Sequence, residues 1–225
     1  MKKTFLAVIA LAGLAVATPA LAQSSTSSAS NNDSQAFYAF VGVGQANMGI
    51  NQTELDTAVS TALGGAVSST LANTGVGYTL GAGYQFCPYL SAEFSYANFG
   101  TLSYNNPSST PTVGVDFQPH SYNVFAVGKL PMGHRFSVYG KIGVAFTQLS
   151  ANTNELQTYT TTFNKTNAAF GGGVEMKLGR YLAIQGEYDY FGTAGNPPDF
   201  VNNLGTGTGS LGMFTVNAVF RIPTH

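Results

Sequence analysis

The stretch Phe170–Gly192, FGGGVEMKLGRYLAIQGEYDYFG, decides the fold. In its second half Leu182, Ile184, Tyr188 and Tyr190 fall on one phase, and Ala183, Gln185, Glu187 and Asp189 on the other. Successive side chains of a β-strand point to opposite faces, so this is a strand with one apolar and one polar face. The residues before it repeat the pattern: Ala168, Phe170, Val174 and Met176 oppose Asn167, Ala169, Glu175 and Lys177. Gly179-Arg180 leaves room only for a tight turn between the two segments.

Working outward, six further segments alternate in the same way. They lie near Ala36–Ala46, Thr74–Phe86, Leu90–Gly100, His120–Leu130, Arg135–Gln148 and Ser210–Ile222, and with Asn164–Leu178 and Tyr181–Gly192 they make eight predicted strands. The first and the fourth are blurred, the fourth because Phe125 and Val127 share a phase with Asn123 and Lys129. The connections alternate in length. Cys87–Tyr89, Pro131–His134 and Gly179-Arg180 are short, whereas Asn47–Asn73, Thr101–Pro119, Leu149–Phe163 and Thr193–Gly209 are long and polar.

Composition says what the faces meet. Only 8% of the residues are charged, against about 25–35% on the surface of a soluble domain. Aromatics reach 12%, which excludes a disordered chain. Beyond the N-terminus no apolar run is long enough for a membrane helix, and the other structure that crosses a bilayer is a closed β-barrel. A soluble, lipocalin-like barrel would turn its polar face to water, but that face is mostly Gly, Ser, Thr, Asn and Gln. The expected fold is therefore all-β, an eight-stranded antiparallel transmembrane β-barrel with short periplasmic turns and long extracellular loops. Phe86, Tyr89, Phe136, Tyr181 and Phe220 at the turn side and Tyr96, Tyr122, Phe146 and Tyr190 at the loop side are candidates for the interfacial girdles.

Residues 1–22 read as a secretory signal peptide: Lys2 and Lys3, an apolar core from Phe5 to Ala17, then Ala20-Leu21-Ala22. The core is shorter than the roughly 20 residues that span a bilayer. Residues 23–35, rich in Ser and Asn, read as a flexible tail, and 36–225 as the barrel domain. Without Lys2 and Lys3 the nine basic residues become seven against ten acidic. The chain has no basic stripe, which argues against a nucleic-acid partner. Cys87 is the single cysteine, so no intramolecular disulfide is available.

The signal peptide, the alternating strands, and the segments YTLGAGYQF, YNVFAVGKLPMG, FSVYGKIGVAF, AAFGGGVEMKLGRYLAIQGEYDYF and VNAVFRI resemble the outer-membrane β-barrel domain of the opacity-protein and OmpA-like superfamily, the "porin family". The resemblance implies the Gram-negative outer membrane, with its lipid and lipopolysaccharide as surroundings. It also implies the barrel-assembly machinery as a partner in biogenesis, and a host surface ligand for the loops as in some opacity-like relatives. Such barrels usually end on an aromatic residue, whereas here Pro223-Thr224-His225 follows Ile222.

The inward phase collects eight charges, four of each sign: Glu93, Lys129, Lys141, Glu175, Lys177, Glu187, Asp189 and Arg221. An eight-stranded barrel is about wide enough to be filled by its own side chains, and an unpaired buried charge costs several kcal/mol. A structural ion-pair network is the expected arrangement, and a small-solute or ion channel lined by the same charges is the alternative. A lipid-modifying enzyme would need a nucleophile beside a base. His120-Ser121 is the one such pair at the outer rim, and adjacent strand residues point apart. No His, Cys or Asp cluster has metal-ligand spacing, so no catalytic residue, metal or other cofactor is expected. In the first long loop Leu55, Val59, Leu63 or Ala62, Ala66 and Leu71 approach helical spacing, with Thr53-x-x-Asp56 as a helix start.

Overall fold

The computed structural model describes residues 35–49, 53, 70–71, 74–106, 113–153, 160–193 and 209–223. The signal peptide, all of the tail except Gln35, and the first-loop helix beyond Thr53 as far as residue 69 lie outside these, as does His225.

Ten strands follow in chain order: β1 Ala36–Gly49, β2 Thr70–Leu71, β3 Thr74–Cys87, β4 Leu90–Asn98, β5 Leu102–Asn106, β6 Val113–Met132, β7 Phe136–Thr153, β8 Thr160–Lys177, β9 Leu182–Thr193 and β10 Ser210–Pro223. Eight of them close a barrel in the order β1-β3-β4-β6-β7-β8-β9-β10, with β10 returning to β1 and every pair antiparallel. Closure leaves no edge strand, which is what a sheet surrounded by lipid requires.

Stepping across ladder partners from Ala36 leads through Gln85, Ser91, Val127, Lys141, Gly171, Asp189 and Met213 and reaches β1 again at Ala46, ten residues further along. That stagger, over strands about 4.8 Å apart rising about 3.3 Å per residue, tilts them by about 40° and sets a backbone radius of about 8 Å. Side chains from opposite walls therefore meet at the axis. Phe136 and Phe146 both face outward on β7, ten residues apart. At this tilt they stand about 25 Å apart along the axis, the height of an outer-membrane apolar band.

Outward residues include Phe37, Val41, Val43, Phe94, Ile142, Val174, Val216 and Phe220, all more than a third exposed. Their inward neighbours Tyr38, Phe40, Glu93, Lys141, Glu175, Asn217 and Val219 are buried. The core of this protein is thus the lumen.

Three strands run further than their amphipathic pattern. β6 begins at Val113 and not near His120, while β7 and β8 keep pairing out to Asn152 with Thr160, so most of the expected third loop is ladder. The second expected loop contains β5, which pairs with β6, and Leu71 belongs to β2, paired with Tyr104 of β5, and not to a helix face. Ladder hydrogen bonds are made by the backbone, so pairing continues after alternation in the sequence has ended.

Candidate functional site

The lumen contains two ion-pair groups with an apolar closure above them. Near the short turns, the fully buried Glu175 of β8 takes Lys129 Nζ of β6 at 2.9 Å and Arg221 Nη2 of β10 at 2.6 Å. Gln185 Nε2 donates to the same carboxylate at 2.8 Å, and Arg221 Nη1 donates to Gln85 Oε1 at 3.3 Å. Glu175 is met by two cations and an amide. Charge-assisted bonds of this kind are what make a buried carboxylate tolerable.

One level toward the long loops, Lys141 Nζ of β7 meets three carboxylates: Glu187 at 2.8 Å, Asp189 at 2.9 Å and Glu93 at 3.3 Å. The Tyr139 hydroxyl donates to Glu187 at 2.7 Å and the Tyr38 hydroxyl to Glu93 at 3.3 Å. Asn217 Nδ2 donates to Glu187 at 2.9 Å, and Thr79 Oγ1 donates to Asn217 at 2.9 Å. The ring of Phe125 lies 5.1 Å from the Lys141 ammonium, within cation–π range. Lys141 takes these neighbours from three other strands, β4, β6 and β9, and reaches β9 because register places Gly171 beside it and Asp189 beside Gly171. Having no side chain, Gly171 leaves room for the Asp189 carboxylate, and Gly173 does the same for the Tyr139 hydroxyl.

Seven of the eight inward charges are brought together in these groups. Lys177 is not: it follows Glu175 on the same phase at the very end of β8, is exposed at the mouth, and makes no ion pair among the described residues. Tyr38, Tyr139, Gln185 and Asn217 belong to the network although charge alone did not mark them. For Tyr139, Gln185 and Asn217 the signal is a phase shared with Lys141, Glu187 and Arg221, whereas β1 has no charged residue to mark Tyr38.

Toward the long loops an apolar cluster fills the lumen beside the buried Ser121, Asn123 and Thr147. Phe99 and Phe191 meet edge to face, with ring centroids 5.1 Å apart, and Met48, Leu149, Leu211 and Met213 pack in the same buried cluster. Each phenylalanine precedes a glycine in the left-handed region, Gly100 at φ 75° and Gly192 at φ 82°. A glycine adopts this conformation without strain, letting the chain turn directly behind the ring. Phe-Gly at two strand ends is the sequence sign of this closure.

His120 and Ser121 point apart. The His120 ring is on the outer face, with Nε2 2.8 Å from Gln148 Oε1 and Tyr96 and Tyr122 beside it, whereas Ser121 Oγ is in the lumen and donates to Asn123 at 2.6 Å. This pair does not form a nucleophile with its base. Among the described residues no group of His, Cys, Asp and Glu is arranged to hold a metal.

A closed eight-stranded barrel with an apolar exterior and a charged, paired interior is a transmembrane β-barrel of the outer-membrane class. Residues 8–221 match the model of the outer membrane protein beta-barrel domain, and the chain belongs to that family. Among solved structures it is similar to Neisserial surface protein A, at 12% identity over 83% of this chain and 97% of that one, with a TM-score of 0.51. It is also similar to a major outer membrane protein from Thermus thermophilus, at 14% identity over 84% and 99%, with a TM-score of 0.51. A third, Ail, the attachment invasion locus protein of Yersinia pestis, is 17% identical over 83% and 99%, with a TM-score of 0.48. No curated protein matches the chain by sequence. In this class the short turns face the periplasm and the long connections the exterior.

Proposed function

We propose that the protein is a closed structural barrel of the Gram-negative envelope, exported by a cleaved signal peptide, whose long connections act as a surface antigen and recognition surface. The observation that carries this reading is the filled lumen: the Phe99–Phe191 closure lies over Lys141 and its three carboxylates. A solute path would need both to part. With the interior committed to packing, recognition of an external ligand falls to the long connections, since binding residues concentrate on loops held by a rigid scaffold.

The test has two arms. Cells displaying the protein are compared with cells displaying a version shortened within Asn47–Asn73 or Thr193–Gly209, for adhesion to host cells and for antibody recognition. Adhesion should fall with loop removal while the barrel still folds. Unchanged adhesion in every loop variant removes the recognition role and leaves the structural one.

A further inference from the structure

Nine Lys and Arg occur in the chain, and Lys2 and Lys3 lie outside the described residues. Five of the other seven lie at the short-turn end, on or beside five consecutive staves: Lys129 on β6, Arg135 before β7, Lys177 on β8, Arg180 before β9 and Arg221 on β10. Hydrogen bonds tie this arc together. The Lys177 amide donates to the Arg135 carbonyl at 2.8 Å, and the Arg221 amide donates to the Tyr181 carbonyl at 2.9 Å. Glu175 is the one carboxylate of this end among the described residues, and it is fully buried and already paired with Lys129 and Arg221. Arg135, Lys177 and Arg180 are exposed, with no ion pair among the described residues. The rest of the rim, Gln85 to Tyr89 between β3 and β4, carries no charge. In sequence, the long connections and the segments beside them have the reverse balance, with Glu54, Asp56, Asp116, Glu155 and Asp199 against Lys165.

We infer that the Arg135–Lys177–Arg180 arc is a docking surface for anionic phospholipid headgroups of the periplasmic leaflet, on one side of the barrel only. A lipid fits because exposed apolar side chains stand among the cations: Leu130, Met132, Phe136, Leu178 and Tyr181, with the Arg180 guanidinium 5.5 Å from the Tyr181 ring. A phosphodiester meets the cations while its acyl chains lie along the apolar wall. A water-soluble polyanion would leave that wall uncovered. Basic clusters at the membrane edge attract anionic lipid in this way, and long basic side chains reach the headgroups while their stems lie on apolar surface.

The full-length protein is reconstituted in bilayers of phosphatidylethanolamine with a minor fraction of phosphatidylglycerol, and the lipid carried through gentle extraction is quantified. Wild type should retain phosphatidylglycerol several-fold above its bulk fraction, less so at high salt. The triple variant Arg135→Gln/Lys177→Gln/Arg180→Gln should fall to the bulk ratio. Arg135→Lys/Arg180→Lys and Lys165→Gln should keep the enrichment. Heat-modifiable migration reports folding, and if the triple variant fails to fold, each single Gln variant should lower retention in part. Bulk-ratio lipid on wild type, or enrichment that survives loss of the three charges, overturns the inference. So does retention by murein sacculi without lipid enrichment.

Discussion

The rings of Phe99, just after β4, and Phe191, on β9, meet edge to face at 5.1 Å across the lumen. These strands are not ladder neighbours, so the contact crosses the interior and ties opposite walls together. Truncating such a ring in a packed core costs about 3–5 kcal/mol. Phe191→Ala should lower unfolding free energy in lipid vesicles by about that amount, measured by denaturant titration. Phe99→Ala/Phe191→Ala should cost less than the two single changes summed, because they share one contact. A fully additive double variant would mean the rings act independently.

Glu175 compensates two cations. Glu175→Gln leaves Lys129 and Arg221 in the lumen floor without their carboxylate, and breaking a buried pair from one side costs about 3–5 kcal/mol. Glu175→Gln/Lys129→Met should recover part of the loss, since one of the stranded charges is then gone. The check is a double-mutant cycle from the same titrations, and the absence of any coupling would contradict the network.

Lys141 is the more exposed test of pairing, because three carboxylates depend on it. Lys141→Met should abolish folding at neutral pH, where Glu93, Glu187 and Asp189 would face one another with no cation between them. Refolding near pH 4, where carboxylates take up protons, should restore the folded band on heat-modifiable gels. Wild type should show no such acid requirement.

Gly171 tests the space that register reserves. A Cβ there would run into the Asp189 carboxylate and the Tyr188 carbonyl oxygen. Gly171→Ala should therefore cost about 1–3 kcal/mol, whereas Gly186→Ala, where a Cβ would meet nothing within 4 Å, should be close to neutral.

These tests divide along the line between what is legible in the chain and what is not. The barrel strands are readable because lipid on one side and polar lumen on the other impose period two, as in Leu182 to Tyr190. The outer parts of β6, β7 and β8 are not, since a run such as Thr160-Thr161-Thr162 carries no alternation of polarity to read. The charges of the lumen are visible as phase, but their sorting is not. Lys141 gathers three carboxylates through a stagger that only closure of the sheet defines. The apolar closure is hidden for a related reason. Phe99, Phe191, Leu211 and Met213 sit on the inward phase, where the pattern expects polar residues, and Phe125 and Val127 blur β6 in the same way. A lumen packed against itself accepts apolar side chains as readily as paired charges.

The most direct measurement of the central claim is single-molecule conductance of the purified, folded protein in a planar lipid bilayer. A lumen closed by Phe99 and Phe191 above the Lys141 group predicts a trace indistinguishable from the protein-free bilayer, which persists when both phenylalanines alone are replaced by serine because the Lys141 group still fills the lumen. Discrete, reproducible openings in wild type would contradict it.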